Sequence, residues 1–329
     1  MGQHLSDLVL GVDGGGSKTL LFVADREGSV IHAAIAHGSN PVDNADWRGE
    51  FAQLARGAAP YAGRIAAGVI GVGSYRESPT VDAKVSGTLT ALFPFAIDIE
   101  NDVYLAHDAA FLGEPGVLLL AGTGSMVVAR GADGTLHRVG GWGHLFGDEG
   151  SAFWIGREAL SLATRTLDGR ANSHTLTAAI VAELVPAGSM GAVGILDWAA
   201  RLSHPRSSIA ALSRVVARCA ENGDADALAL IKRSADFLAE HVQSGRRVSG
   251  LADDGAWSLL GGLASNHLMR NQLVVRLGPL TSPKLPPCGG ALWRAARKAR
   301  WTIEPCWLDR VRSNIEAFSP SPPQGSNPK

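Results

Sequence analysis

The chain is poor in cysteine: Cys219, Cys288 and Cys306 are its only three in 329 residues, an odd number at wide spacing. They form no zinc or iron–sulfur pattern and fit a reducing compartment. No block of Lys or Arg stands out and the formal net charge is −1, which argues against a nucleic-acid groove. Long apolar runs are missing too, since GVLLLAG at 116–122 is far too short to span a membrane. The opening residues MGQHLSDLVLGVDGG lack a basic stretch followed by a long apolar one, so no secretion signal is expected. Neither half carries a GxGxxG placed for a dinucleotide fold, so hydride transfer has no support. The expectation is a cytoplasmic protein with no nucleic-acid and no membrane partner.

What is present is an ordinary globular composition, 46% hydrophobic and 19% charged, in a chain longer than one core usually grows. Two stretches look like one device built twice. Residues 8–36 run LVLGV, DGGGSKT, LLFVA, DREGS, VIHAAIA; residues 117–139 run VLLLA, GTGS, MVVAR, GADGT, LHRV. Each is a strand, a Gly-rich turn, a second strand, a polar Gly turn and a third strand. After the first meander, 44–62 reads as a helix with Asn44 and Asp46 as caps, 65–73 as a buried strand, and 80–93 as a helix. A strand at 96–102 and a helix at 103–113 complete a mixed α/β pattern. A long helix opens near Ser151, and the chain stays mostly helical to about 245. Residues 257–273 read as strand, Gly turn, helix, and 288–301 repeat the Gly-then-helix theme. The expected domains are 1–115 and 116–318, followed by a Pro/Ser/Gly tail at 319–329 that cannot support a core.

DGGGSKT at 13–19 is the strongest motif. It departs from a Walker A loop, because Ser17 stands where Gly should precede Lys18 and a strand follows instead of a helix. Backbone N–H groups of Gly14, Gly15 and Gly16 can face anionic oxygens, Ser17 and Thr19 can donate hydroxyls, and Lys18 belongs to the same turn. Asp13 sits where a carboxylate could hold hydrated Mg²⁺ beside phosphates. The structural alternative is a tight turn without ligand. GTGS at 122–125 is short, and its weight comes from its matching place in the second meander; Gly122, Thr123, Gly124 and Ser125 would serve the other side of the phosphates. Asp102 ends a strand. It is equally well placed to take a proton from a hydroxyl or to cap a helix. His107 and Asp108 read as a polar helix face. In GGWGHLFGDEGSAFWIG, 140–156, the glycines free the backbone around Trp142, while Asp148 and Glu149 stand before a helix. Those carboxylates either complement the helix dipole or hold sugar hydroxyls under an indole. His144 reads as a packed histidine. In LLGGLASN, 259–266, Gly261 and Gly262 could let a flat ring lie on the backbone, or the segment is a helix start capped by Ser265 or Asn266.

Together these pieces resemble the sugar-kinase/hexokinase/actin-like superfamily, and within it the N-acetylglucosamine kinase branch grouped with BadF/BadG/BcrA/BcrD-type ATPases. The resemblance rests on DGGGSKT, GSNP at 38–41, ND at 101–102, AGTGS at 121–125, GGWGHLFGDEGSA at 140–152 and LLGGLASN, in the family's order from about residue 8 to about 300. It implies a two-lobed actin-like ATPase (ribonuclease H-like) fold, a duplicated domain with ATP, Mg²⁺ and an amino sugar in the cleft between lobes. Ser17 and its neighbours match the first phosphate turn, and Thr123 matches the second. Asp102 matches the general base, which favours catalysis over capping. Asn40, Gly141, Trp142, Gly143 and Asp148 match sugar contacts, with Glu149 beside them. Ala210, Gly261 and Ser265 match the adenine-nucleotide side, with Gly262. The cluster cysteines of the iron–sulfur activator ATPases, the Cys-rich zinc motif of the repressor/kinase relatives and a preceding helix-turn-helix are all missing. The expected activity is ATP-dependent phosphorylation of the 6-hydroxyl of N-acetylglucosamine or glucosamine. The rival readings are a non-catalytic sugar or nucleotide sensor and an ATPase acting on a protein partner. Homodimers are common among such relatives, and no pattern in this chain shows one.

Overall fold

The computed structural model describes residues 6–185 and 191–318. The chain forms two compact units: unit 1 holds residues up to Glu114 together with those from Pro283 onward, and unit 2 spans Pro115–Ser282.

Unit 1 is built on β1 (Leu8–Gly14), β2 (Lys18–Asp25), β3 (Val30–His37), β4 (Ile65–Val72) and β5 (Ile97–Asn101), in sheet order β3-β2-β1-β4-β5. The first three are antiparallel, and β4 and β5 add in parallel. Between them lie α1 (Trp47–Ala58), α2 (Pro79–Leu92) and α3 (Asp102–Phe111). Its central strands β1 and β4 are apolar on both faces, as strands covered on both sides require. Leu8, Leu10 and Val12 enter one core with Phe51 and Leu89, whereas Val9, Phe22 and Val69 enter another with Leu105 and Leu292. That alternation is the strand period of two.

Unit 2 repeats the plan with β6 (Gly116–Ala121), β7 (Ser125–Arg130) and β8 (Leu136–Gly140) as an antiparallel meander. Then come α4 (Ala152–Leu167), α5 (His174–Leu184), α6 (Gly191–Ala200), α7 (Pro205–Ala211), α8 (Ser213–Glu221) and α9 (Ala225–Val248). The strand β9 (Trp257–Leu260) pairs in parallel with β6, giving the order β8-β7-β6-β9. It leads into α10 (His267–Leu277). Ser151 caps α4 by accepting the Trp154 N–H, and Asn266 caps α10 by accepting the Met269 N–H.

Two expectations change. The second domain does not run to 318. The chain returns to unit 1 at Pro283, where Leu285 N–H donates to Ala109 O at 2.9 Å and α11 (Pro287–Lys298) and α12 (Pro305–Ala317) follow. The glycines of 288–301 are also not a turn before a helix. Gly289 and Gly290 lie inside α11, and a Cβ on Gly290 would sit 2.0 Å from the Leu105 carbonyl. The lack of a side chain at Gly290 lets α11 press on α3, while Gly289 makes room for Leu285. The tail at 319–329 lies outside the described residues. No described helix is long and apolar enough to cross a membrane.

Candidate active site

The first Gly turn joins β1 to β2 and closes when Gly15 N–H donates to Lys18 O at 3.2 Å. Its glycines divide into two kinds. A Cβ on Gly14 would lie 2.7 Å from Gly71 O and 2.8 Å from Ser39 Oγ, so packing alone explains that glycine. Around Gly15 and Gly16 nothing would come closer than 3.5 Å, and neither has a positive φ. The chain's own packing therefore does not demand glycine there, whereas backbone that must meet a ligand does. From behind, the turn is clamped: Ser39 N–H donates to Gly15 O at 3.0 Å, and Gly38 lies against the Gly16 carbonyl. Gly16, Ser17 and Lys18 are exposed. Thr19 is a correction. It is fully buried in β2, and its hydroxyl donates to His37 O at 2.8 Å and Ser39 Oγ at 2.7 Å, so it braces the turn instead of reaching a ligand.

Two carboxylates stand at the C-terminal ends of strands in this unit. Asp102 is the first residue of α3, and Asn101 does the capping, its side chain accepting the Val103 N–H at 3.0 Å. Burial, reinforced by Asp13 and Glu77, pushes the Asp102 carboxyl up to about 7. Burial likewise pushes Asp13 up to about 6, with the Lys18 ammonium opposing it. A carboxyl held near neutrality is suited to general base work. Asn40 lies beside Gly73, and its amide donates to Asp43 at 2.8 Å. Behind the strand end, Arg294 of α11 binds Glu100 at 3.0 Å and Asp108, while Arg76 takes the other Glu100 oxygen at 3.0 Å. Asp108 and His107 are buried, not the polar surface expected of them, and His107 lies 4.9 Å from the Phe111 ring.

In unit 2 the GTGS turn closes through Gly122 N–H to Gly124 O at 2.9 Å. It borders a cavity of about 730 Å³ lined by Gly122, Thr123, Ala210, Arg214, Gly262 and Ser265, a volume suited to a small-molecule ligand. Gly261, with φ +101°, packs on Ala121 O, where a Cβ would come within 2.4 Å; Gly262 opens to free space. Five residues assigned to the nucleotide side thus share one cavity. Ser125 is a second correction: it is buried, and its hydroxyl donates to Glu149 O at 2.7 Å.

Gly140 at the end of β8 and Gly141 and Gly143 in the loop after it have positive φ, and Trp142 is 69% exposed, with the Arg138 guanidinium 6.0 Å from its ring centre. His144 packs edge-on to Phe153, as expected of a packed histidine. Glu149 is partly exposed, 3.8 Å from His241. Asp148 is not free to meet a sugar as the structure stands. It is 2% exposed; Oδ1 accepts the Ser125 N–H at 3.2 Å and Oδ2 accepts Arg206 at 2.7 Å. Arg206, Arg214 and Arg294 are the residues that sequence reasoning missed. The first two lie in the helical stretch that has no legible motif.

A divalent cation fits the donors of unit 1 only through water and phosphate. Among the described residues no three His, Cys, Asp or Glu side chains gather as a metal site, while the Asp13 charge helps to raise the Asp102 carboxyl.

Several known proteins are similar to this chain. An N-acetylmuramic acid/N-acetylglucosamine kinase of Clostridium acetobutylicum is 26% identical over 238 residues, covering 70% of this chain and 76% of that protein. An N-acetyl-D-glucosamine kinase of Dictyostelium discoideum is 26% identical over 201 residues, covering 54% of this chain and 60% of its own length. A solved structure of a proposed N-acetylglucosamine kinase from Chromobacterium violaceum superposes with a TM-score of 0.71 at 24% identity, covering 89% of this chain and 99% of the other. A ROK family glucokinase from Streptomyces griseus, solved with glucose and AMPPNP, superposes with a TM-score of 0.51 at 16% identity, covering 90% of this chain and 100% of the other. The fold is thus that of sugar kinases. Residues 10–279 match the BadF/BadG/BcrA/BcrD ATPase family, and the chain belongs to that family.

Proposed function

We propose that the protein is an ATP-dependent amino-sugar kinase that phosphorylates the 6-hydroxyl of N-acetylglucosamine or glucosamine. The observation that carries this reading is Asp102: with Asn101 as the N-cap of α3, and with one of its own oxygens accepting the Val103 N–H at 2.9 Å, it presents a carboxyl pushed up to about 7 at the end of β5. The kinases named among the relatives support the same class.

Asp102 takes the hydroxyl proton as O6 attacks the γ-phosphorus, and the bond from that phosphorus to the ADP oxygen breaks. The Gly16 N–H, the Ser17 hydroxyl and Lys18 stabilise phosphate charge from unit 1, and Thr123 and Gly124 do so from unit 2. The nucleoside end occupies the cavity bordered by Ala210, Gly262 and Ser265. Mg²⁺ would be held through water by Asp13 and would neutralise phosphate charge. Asn40, the Gly141–Trp142–Gly143 run and Glu149 contact the sugar. The protein acts in the cytoplasm.

The test is ADP release from Mg-ATP with glucosamine, N-acetylglucosamine, N-acetylmuramic acid and glucose in turn. Stimulation by glucosamine or N-acetylglucosamine, with phosphate found on O6, supports the reading. ADP release that ignores every sugar points to an ATPase, and sugar binding without ADP release points to a sensor.

A further inference from the structure

The cavity beside the GTGS turn is lined by one cation that has no partner. Helix α8 contributes Arg214, Ala217, Arg218 and Glu221 to the lining, at the spacing of a single helix face. Two of its three charged side chains are already engaged. Arg218 Nη2 lies 3.0 Å from Glu183 Oε2, and Glu221 Oε1 lies 3.5 Å from His267 Nδ1. Arg214 is exposed and, among the described residues, makes no ion pair or hydrogen bond. Ala217, next on the same face, carries only a methyl group, which leaves the guanidinium uncrowded.

The rest of the lining offers flat backbone and few groups that could read the edge of a base. Gly122 and Gly262 present bare main chain, and a Cβ on Gly262 would meet nothing within 4 Å, so packing does not demand glycine there. The Ser265 hydroxyl donates to Gly262 O at 2.9 Å, and Asn266 Oδ1 accepts the Met269 N–H at 3.0 Å. The Ser207 and Ser213 hydroxyls can donate or accept, so neither tells an amino group from a carbonyl on a purine. A guanidinium is planar, delocalised and weakly hydrated, which suits it to stacking on an aromatic face. Every nucleobase has such a face, so a grip of this kind tolerates a change of base.

We propose that Arg214 stacks on the nucleobase against the bare backbone at Gly262, and that the cavity holds purine nucleotides by stacking and shape, so that guanine nucleotides bind beside adenine ones. The proposal rests on the nucleotide reading above. Its test is direct binding of ADP, GDP, adenosine and inorganic triphosphate, with Mg²⁺ and without sugar, to the full chain and to Arg214→Ala and Arg214→Lys. The unaltered chain is expected to bind ADP and GDP within about tenfold of one another, less than a well-read base edge can impose. Arg214→Ala is expected to weaken ADP, GDP and adenosine alike by about tenfold, the loss of one stack, and to leave inorganic triphosphate within about twofold. Arg214→Lys keeps the charge and loses the plane, so it should fall with Arg214→Ala. A loss of ADP and triphosphate with adenosine unchanged overturns the proposal, because Arg214 would then be a phosphate ligand. Full affinity in Arg214→Lys, unchanged adenosine in Arg214→Ala, or a preference beyond about tenfold between ADP and GDP overturns it as well. If the unaltered chain binds none of the four, the nucleotide reading itself falls, an outcome distinct from the others.

Discussion

The two Gly turns share a strand plan and differ in how each treats its carboxylates. In unit 1, Asp13 and Asp102 stand with little cationic compensation and are pushed up to about 6 and about 7. In unit 2, Asp148 is more deeply buried and is tied to Arg206 and a backbone N–H. A carboxylate left short of partners is costly and reactive; one that is paired is a strut. The duplicated scaffold therefore leaves raised carboxyls in one copy, where the proposed proton transfer needs one, and an ion-paired carboxylate in the other. The glycines follow the same division. Gly14 and Gly124 are forced by neighbours, while Gly15, Gly16 and Gly262 are open.

The strongest way to break the comparison is Asp102→Asn. Loss of a positioned base should lower kcat by about 10²–10⁴-fold. Sugar binding by calorimetry should persist, and a variant that turns over normally at saturation removes Asp102 from the chemistry. Next comes the support behind it. Arg294→Met removes the guanidinium shared by Glu100 and Asp108, side chains only 10% and 1% exposed. It should cost about 3 kcal/mol in denaturant unfolding. A loss below about 0.5 kcal/mol, the level of an ordinary surface change, would make the network ornamental. Smaller effects separate the two kinds of glycine. Gly38→Ala puts a Cβ 2.0 Å from Gly16 O and should destabilise the fold by about 1–3 kcal/mol. Gly16→Ala has room, should leave the unfolding midpoint in place, and should weaken nucleotide binding instead. Equal unfolding midpoints for the two variants would contradict that division.

Much of this was legible because it is local. The meanders, the helix at Ser151 and the strand–turn–helix at 257–273 follow from periodicity and turn chemistry within a few residues. What escaped depends on contacts distant along the chain. Arg206 meets Asp148 across 58 positions, and Arg294 meets Asp108 across 186. The return of 283–318 to unit 1 is set by α11 fitting onto α3 through Gly290, and no local pattern encodes which helix a glycine will admit. Thr19 and Ser125 were misread for a related reason. A hydroxyl in a Gly turn looks the same in sequence whether it points to a ligand or, as here, to His37 O or Glu149 O.

The most delicate test reads the unit 1 carboxylates through stability. A carboxyl raised from 3.8 when unfolded to about 7 when folded binds its proton more tightly in the native state. Its contribution is fully present below the unfolded value and is lost as pH rises through about 7. Ionised Asp102 is then a burden to the fold, as the proposed base would be. Asp102→Asn, which cannot ionise, should lose less stability than the unaltered chain between pH 4 and pH 8, so the difference in Tm should grow with pH in the variant's favour. Asp148→Asn should show the opposite sense at pH 8, because it removes a partner from Arg206 and adds no relief. A Tm difference for Asp102→Asn that stays flat across this range would mean that its carboxyl titrates near its ordinary value, and the two turns would then differ only in the partners of their carboxylates.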